Sequence, residues 1–328
     1  MMGRLLFLGL LGIAVGAAAL MVGSVSLPFG EVLLALRGQG DPTSQTIVMN
    51  LRLPRILMAA QVGGGLALSG AVFQALLRNP LAEPYVLGVS SGAAVGAVAA
   101  LVFGMTLTSV VALPLSAFAG AVFAIVLVLL MASLGGRGMD TRILLLSGVV
   151  IGAFFNALIL LIINFADVET FRAALLWIMG SFSGASSEGV LTIAMYLIPS
   201  IVALILVARP LNLLSVGEQS AFHLGVDVRR FKILLYVGTS LVVGVCVAGA
   251  GAIGFVGLVV PHALRIIGGS DHRWLLPASV ITGGTFLVLA DTLARTVVAP
   301  AELPVGVVTA LVGVPVFLWL LLRHEELR

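Results

Sequence analysis

The chain has 328 residues, of which 60% are hydrophobic and only 9% are charged, and its formal net charge is +3. An ordinary soluble domain carries about 25% charged residues, so this composition excludes a soluble globular protein and requires lipid as the solvent. The 17 basic residues are spread along the chain among 14 acidic ones, which excludes a concentrated nucleic-acid-binding face. Cys246 is the only cysteine, so an intrachain disulfide is impossible.

Charge-free windows predict the membrane spans, because a helix needs about 20 apolar residues to cross the hydrocarbon. The first window, 5–30, predicts a span, with a cleaved signal peptide as the alternative. The windows 84–136 and 233–264 are too long for one helix. Each is weakened internally, at 104–108 and at the glycine-rich stretch 249–257, so each predicts two spans. The prediction is an all-α polytopic membrane protein with ten transmembrane helices, of which the eighth is short. The windows are 5–30, 56–77, 84–136, 143–166, 189–208, 233–264, 274–290 and 303–322.

Basic residues predict the orientation, because cytoplasmic connections carry an excess of them. With the N-terminus inside, the inner set is Arg4, Arg78, Arg137, Arg142, Arg209, Arg229, Arg230, Lys232, Arg265, Arg273, Arg323 and Arg328, and the outer set is Arg37, Arg52, Arg55, Arg172 and Arg295. The imbalance predicts a bacterial inner-membrane protein with both termini in the cytoplasm.

Three outer arginines, Arg52, Arg55 and Arg295, lie at the outer ends of the second and ninth spans. Outward arginines work against the topology signal, which leaves two readings open. They form a basic rim for an acidic partner, or they pair with carboxylates and lipid headgroups at helix ends. Asp291 precedes Arg295 by four residues, and this spacing predicts a helical ion pair.

Two connections are long enough to fold by themselves. The outer segment, 164–188, predicts a short helix at the membrane surface. In the inner segment, 209–232, residues 218–224 predict two helical turns, with Gly225 as the left-handed stop and Asp227 as the N-cap of the next helix. Such a compact cytoplasmic knob is suited to docking a motor protein, and an ordinary polar loop is the alternative.

Two glycine motifs match soluble enzyme fingerprints but lie in membrane stretches. Residues 249–254 match the dinucleotide-binding pattern, which needs a preceding strand, so close packing or a helix break is the interpretation here. Residues 88–92 match the nucleophile elbow, which also needs a strand and a histidine partner. His262 is the only histidine near membrane depth, and an intramembrane serine protease stays a remote alternative.

Other chemistry is disfavoured by the residues themselves. The only lysine, Lys232, follows Phe231 rather than a glycine, so the chain has no Walker A motif for ATP. No histidine pair has i, i+4 spacing, which disfavours a zinc site. The spans are nearly free of charge, whereas an ion-coupled secondary transporter should carry ionisable groups at mid-membrane. No catalytic residue is predicted. Spans with so little charge favour transport of a large solute, driven by energy that is supplied from outside this chain.

Several segments resemble the FecCD family of ABC permeases, which import ferric siderophores, haem and cobalamin. The matching segments are LRLPR at 51–55, GGGLALSGAVFQALLRNPLAEPYVLGVSSGA at 63–93, GEQSAFHLGV at 217–226, GFVGLVVPHALRIIGGSDHRWLLP at 254–277, LADTLAR at 289–295 and LPVGVVTALVGVPVFLWLL at 303–321. The similarity covers nearly the whole chain in order, but it says little about the substrate.

The resemblance implies a type II ABC importer permease, with 1–328 as one transmembrane domain. It implies a homodimer, two ATPase subunits that bind ATP and Mg, and a periplasmic substrate-binding protein, with no cofactor, metal or nucleic acid on this chain. The expected cargo is a bulky metal chelate, with ferric siderophore first, cobalamin second and haem third. An ion-coupled secondary transporter remains the main alternative.

The resemblance also implies roles for individual residues. Docking of the binding protein is expected at Arg52, Arg55 and Arg295, which would receive its glutamates. ATPase coupling is expected at Glu218, Gln219, Ala221, Leu224 and Gly225. The cytoplasmic gate is expected at Asn79, Pro80, Leu81 and Thr141, and the outer gate at Phe171, Trp177 and Gly180.

Overall fold

The structure is a computed structural model that describes residues 1–107, 109, 111–134 and 140–325. Arg137 and Arg328, two of the predicted inner basic residues, lie outside the described residues. Within the described ranges the secondary structure is helical and contains no strand. The fold class predicted from the sequence is therefore confirmed.

The helices follow one another with short connections. The first seven are α1 (Met2–Met21), α2 (Phe29–Leu36), α3 (Pro42–Gln45), α4 (Leu53–Leu76), α5 (Val89–Val102), α6 (Ala112–Leu134) and α7 (Thr141–Ile163). The others are α8 (Val168–Ile178), α9 (Ser187–Leu206), α10 (Ala208–Val216), α11 (Glu218–His223), α12 (Val228–Ala250), α13 (Val256–Gly268), α14 (His272–Ala294) and α15 (Val305–Glu325). A π-helical segment, Thr46–Arg52, joins α3 to α4 without a break.

Within the described residues, ten apolar helices lie in the eight predicted windows and correspond to the ten predicted spans. In the described part of the chain, seven helices are long and apolar enough to cross a membrane, and shorter apolar helices occur at Val89–Val102, Val256–Gly268 and Val305–Trp319. The predicted short eighth span is α13. The first window differs from the prediction, because α1 ends at Met21 and α2 begins only after Pro28. Val22 is extended at the end of α1, and Pro28 is the N-cap of α2.

Helix α4 is the centre of the bundle and packs against α9, α12, α13 and α14, while α5 packs against α6 and α7. Glycines make these contacts close, as small residues do in membrane bundles. A Cβ atom at Gly63 would lie 2.7 Å from Leu287 Cβ, and one at Gly70 would lie 2.5 Å from the Cα of Gly257. By contrast, α1 lies on α14 at the edge of the bundle and is mostly exposed.

Two helix breaks meet inside the bundle. One connects α4 to α5, and the other, 251–255, connects α12 to α13. The Gln74 amide donates to the carbonyl of Gly257 at 3.0 Å, and the Glu83 carboxylate accepts the N–H of Phe255. Gly251 ends α12 with φ +72°, a conformation that favours glycine. The dinucleotide-like motif is therefore a helix break, as predicted.

The serine motif at 88–92 also lies in a helical setting. Its two serines, Ser90 and Ser91, are buried in the first turn of α5, and Gly88 precedes that helix with φ +79°. A nucleophile elbow requires a strand before the serine, and a short 3-10 helix, Pro84–Leu87, stands there instead. The setting of an elbow is therefore missing.

Candidate functional site

Polar side chains concentrate at the two ends of the bundle. The end where α4 begins and α14 ends carries Arg52, Arg55 and Arg295, and is named the arginine end. The opposite end carries α10 and α11, and is named the knob end, with α10 and α11 together as the knob. The three arginines of the arginine end come from segments far apart in sequence, so the fold is what assembles them.

Arg55, in the first turn of α4, is the centre of the arginine end. Its Nε atom donates to Asp291 Oδ1 and Oδ2 at 2.9 and 3.0 Å, and its Nη2 atom lies 2.9 Å from Asp291 Oδ1. Its Nη1 atom donates to both carboxylate oxygens of Glu302 at 2.9 and 3.0 Å. Two-point pairing of this kind is the strongest geometry available to a guanidinium group. Arg55 thus joins α4 to α14 and to the connection before α15.

Arg52 and Arg295 form hydrogen bonds with the backbone at the C-terminal end of α1. Arg52 Nη1 donates to the carbonyls of Leu20 at 2.6 Å and Met21 at 3.1 Å, and its Nη2 donates to the carbonyl of Val25. Arg295 Nη2 donates to the carbonyl of Ala19 at 2.8 Å. The last carbonyls of a helix lack partners within the helix, and a positive charge there is favoured by the helix dipole. These arginines therefore hold α1 on the bundle.

The three rim arginines are buried, with residue exposures of 5% for Arg52, 8% for Arg55 and 6% for Arg295. Of the two readings left open by the sequence, pairing at helix ends is what the isolated chain displays. Arg295 Nε also lies 3.5 Å from Asp291 Oδ2, which confirms the predicted helical ion pair. Docking of a partner at these residues stays a prediction. Among the three arginines, Arg55 is paired with a second acid, Glu302, whose side chain is half-exposed.

The outer-gate residues belong to α8 and its end. The Asp167 side chain accepts the N–H of Thr170 as the N-cap of α8. This hydrogen bond holds the pKa of the Asp167 carboxyl below its ordinary value. Phe171 and Trp177 lie on α8, and Gly180 follows it with φ +75°. The end of α8 is pinned by the start of α15, because the N–H of Val305 donates to the carbonyl of Gly180 at 3.0 Å.

The knob has the predicted form, with an additional helix in front. Helix α11 ends at His223, Gly225 follows with φ +85°, and the Asp227 side chain accepts the N–H of Arg230 at 3.1 Å as the N-cap of α12. Helix α10, which the sequence did not indicate, precedes it. Ala221 is fully buried, whereas Gln219 is exposed.

An ion-pair network connects the knob to the predicted cytoplasmic gate. Lys232 Nζ lies 2.9 Å from Glu218 Oε1 and 3.3 Å from Thr141 Oγ1, and Arg78 Nη2 lies 3.7 Å from the same Glu218 oxygen. The Lys232 side chain is only 3% exposed. The structure thus brings predicted coupling residue Glu218 and predicted gate residue Thr141 to one lysine. Sequence reasoning missed the roles of Lys232 and Arg78, and the only signal was that Lys232 is the sole lysine.

The turn after α4 forms the rest of the predicted gate. Arg78 adopts φ +47°, and the Asn79 side chain accepts the N–H of Leu81 at 3.0 Å. Pro80 and Leu81 are exposed, while Asn79 is partly covered. This turn therefore presents an apolar tip beside the Glu218 network.

The knob is also fixed to α14. The Asn212 amide nitrogen donates to Asp271 Oδ1 at 2.7 Å, and its amide oxygen accepts the N–H of His272 at 2.9 Å. Hydrogen bonds from the Arg273 N–H and from Asn212 hold the pKa of the Asp271 carboxyl below its ordinary value. The knob and the turn after it also expose apolar side chains. Val216, Phe222 and Leu224 are 79%, 67% and 66% exposed.

Within the described ranges no group of three or more His, Cys, Asp or Glu side chains is placed to hold a metal ion. What the two ends offer is mechanical linkage through ion pairs and backbone hydrogen bonds. That kind of site suits a protein that moves segments in response to partners.

Comparison with known proteins identifies the family. The FecCD transport family matches residues 10–323. The hemin transport system permease protein HmuU of Yersinia pestis is 42% identical over 331 residues, covering 100% of this chain and 97% of that protein. The vitamin B12 import system permease protein BtuC of Salmonella paratyphi A is 45% identical over 303 residues, covering 92% and 91%.

A solved structure described as an inward-facing conformation of a putative metal-chelate type ABC transporter matches the fold with a TM-score of 0.89. It is 34% identical, and the match covers 98% of this chain and 100% of that one. Together with the helical bundle, these matches extend over nearly the whole chain. The chain therefore belongs to the FecCD transport family and is the membrane-spanning permease subunit of an ABC importer.

Proposed function

We propose that two copies of this chain form a transport path for a bulky metal chelate, with the knob end in the cytoplasm and the arginine end facing the periplasm. Two ATPase subunits dock on the knobs, and a substrate-binding protein docks on the arginine end. ATP and Mg are bound and hydrolysed on the ATPase subunits. This chain binds no cofactor and contributes no catalytic residue.

The observation that carries this proposal is the link between the knob and the gate turn. The exposed Phe222 and Leu224 offer the knob an apolar surface for a partner, since large exposed apolar side chains that lie together mark interaction sites. Behind that surface, Glu218 joins Lys232 to Arg78, directly before the gate residue Asn79. A motor that shifts the knob would therefore move the gate turn with it.

Docking at the periplasmic face is proposed for the cluster around Arg55. This cluster contains three arginines and two acids, so it keeps a positive excess that attracts a carboxylate. Arg52 and Arg295 shape the seat by holding α1, and Arg55 supplies the contact. The outer-gate segment Phe171, Trp177 and Gly180 lies on and after α8, next to the beginning of α15.

The cargo is proposed to be a ferric siderophore, with cobalamin second and haem third. Relatives named for hemin and for vitamin B12 have nearly the same identity to this chain, so all three are to be tested together. This test is necessary because the binding protein, and not this chain, captures the cargo.

The deciding experiment is uptake into proteoliposomes that hold this chain with its co-encoded ATPase and binding protein. Labelled ferric siderophore, cobalamin and haem are offered in parallel. We expect one of them to accumulate only when ATP and the binding protein are both present. Uptake that persists without ATP would instead support the ion-coupled secondary transporter, and uptake of none would contradict the proposed cargo class.

The Gly225→Pro variant tests the knob. Gly225 has φ +85° and donates its N–H to the carbonyl of Phe222 at 3.0 Å, whereas proline fixes φ near −65° and has no N–H. We expect the solute transported per ATP hydrolysed to fall by about tenfold or more, a size typical of coupling between sites, while hydrolysis itself continues.

The matched control is Gly225→Asn, because asparagine tolerates the left-handed conformation and keeps the N–H. This variant should retain near-normal coupling. Coupled uptake that is normal in Gly225→Pro would contradict the role of the knob.

A further inference from the structure

We propose that Glu302 is an internal substitute for the docking partner's carboxylate. It occupies Arg55 while the arginine end is empty, a partner carboxylate replaces it on docking, and its release loosens the outer-gate segment. The inference rests on the proposed function, since it takes docking at Arg55 as its starting point. It adds a competing residue and a route from the docking site to the gate.

The geometry of Arg55 separates a permanent partner from an exchangeable one. Nε and Nη2 face Asp291, whose side chain is 1% exposed, and Nη1 faces Glu302, whose side chain is 43% exposed. Solvent and partners therefore reach the Glu302 side of the guanidinium group and not the Asp291 side. Only one of the two carboxylates can be replaced without opening the bundle.

Replacing Glu302 with a partner carboxylate keeps the charge of Arg55 compensated. The buried Arg55–Asp291 pair stays intact throughout, so no charge is left without compensation inside the protein. Partly exposed ion pairs contribute little net stability, so Glu302 is a competitor that a well-placed partner carboxylate can displace. The Nη1 group, which can donate to both oxygens of a carboxylate, then favours a partner that projects an aspartate or glutamate side chain.

The residues after Glu302 connect this exchange to the outer gate. The N–H of Leu303 donates to the carbonyl of Ala294 at 2.9 Å, and the N–H of Gly306 donates to the carbonyl of Met179 at 3.1 Å. Val305 makes the matching bond to Gly180, the predicted gate residue. A Cβ at Gly306 would meet the carbonyl of Met179, so the two segments lie in direct backbone contact. Glu302 thus anchors a short segment that is bonded to the end of α8.

The test uses the complete permease–ATPase complex in nanodiscs, titrated with its co-encoded binding protein. In Glu302→Gln the competitor loses its charge, and we expect the binding protein to bind about two- to fivefold tighter than to the wild type. Glu302→Asp, whose shorter side chain withdraws from Nη1, should also bind tighter although its charge is kept. Glu188→Gln removes an exposed acid of α9 on the same face as a matched control, and should leave the affinity unchanged.

A second measurement needs no partner. Hydrogen exchange of the Val305 and Gly306 amides should be faster in Glu302→Gln than in the wild type or in Glu188→Gln, because the anchor of the segment is weakened. Unchanged exchange would overturn the route to the gate. Affinity that is equal to the wild type or weaker in both Glu302 variants would overturn the competition.

The double variant Arg55→Gln with Asp291→Asn distinguishes this inference from the proposed function. It removes the seat, and docking should be lost. Arg295 also loses its ion pair with Asp291 in this variant, but it keeps its hydrogen bond to the carbonyl of Ala19. Full docking to the double variant would refute the docking site itself. Lost docking in the double variant, without tighter binding in the Glu302 variants, would refute only the exchange.

Discussion

Replacing Arg55 with glutamine should lower the free energy of unfolding by about 3–5 kcal/mol, the usual cost of removing one partner of a buried ion pair. Asp291 would keep its charge at 1% side-chain exposure and would lose the fork formed by Nε and Nη2. Unfolding of the purified chain in detergent, followed by tryptophan fluorescence, measures this loss.

Two variants make the Arg55 experiment specific. Arg37→Gln changes an exposed arginine between α2 and α3, and should alter the free energy of unfolding by no more than about 0.5 kcal/mol. Adding Asp291→Asn to Arg55→Gln should restore part of the loss, because the buried carboxylate charge is then gone, although Arg295 loses its ion pair with Asp291. A change in the free energy of unfolding as small in Arg55→Gln as in Arg37→Gln would contradict the buried ion-pair network.

Replacing Gly70 with alanine should cost about 1–3 kcal/mol of stability and abolish most of the uptake, because the new Cβ has no space. It would lie 2.5 Å from the Cα of Gly257 and would also meet the carbonyl of that residue. Helix α13 would have to move away from α4, and the hydrogen bond from Gln74 to the carbonyl of Gly257 would be lost. Thermal unfolding together with the proteoliposome uptake assay measures both effects.

The control for Gly70 is Gly9→Ala in α1. A Cβ at Gly9 meets nothing within 4 Å, and alanine favours a helix over glycine by up to about 1 kcal/mol. This variant should therefore be neutral or slightly more stable. A Gly70→Ala protein that behaves in the same way would mean that α4 and α13 are less closely packed than the structure describes.

The number and positions of the spans could be predicted from the sequence, because the thickness of the bilayer fixes how many apolar residues a helix needs. The turn chemistry of the knob was also predictable, since Gly225 and Asp227 act on residues adjacent in sequence. Helix α2 was missed because the window 5–30 contains no charge, so nothing in its polarity marks the break between Met21 and Phe29.

The partners of the rim arginines could not be predicted, because they come from distant parts of the chain. Glu302 is 247 residues from Arg55, and the Leu20 carbonyl that Arg52 contacts is 32 residues away. A backbone carbonyl has no signature in the sequence at all. For the same reason the Lys232 network escaped detection, since Thr141 is 91 residues from that lysine.

The way α1 is held has a consequence for how this protein can vary. Arg52 and Arg295 recognise carbonyl oxygens at Ala19, Leu20 and Met21, and every amino acid presents the same atom there. Apolar side chains of this helix can therefore be exchanged for one another over evolutionary time while its place in the fold is kept. Glycine is needed at Gly12 in this helix and at Gly23 just after it, because a Cβ would lie 2.8 Å from Thr285 Oγ1 and 2.7 Å from Arg52 Nη2, respectively.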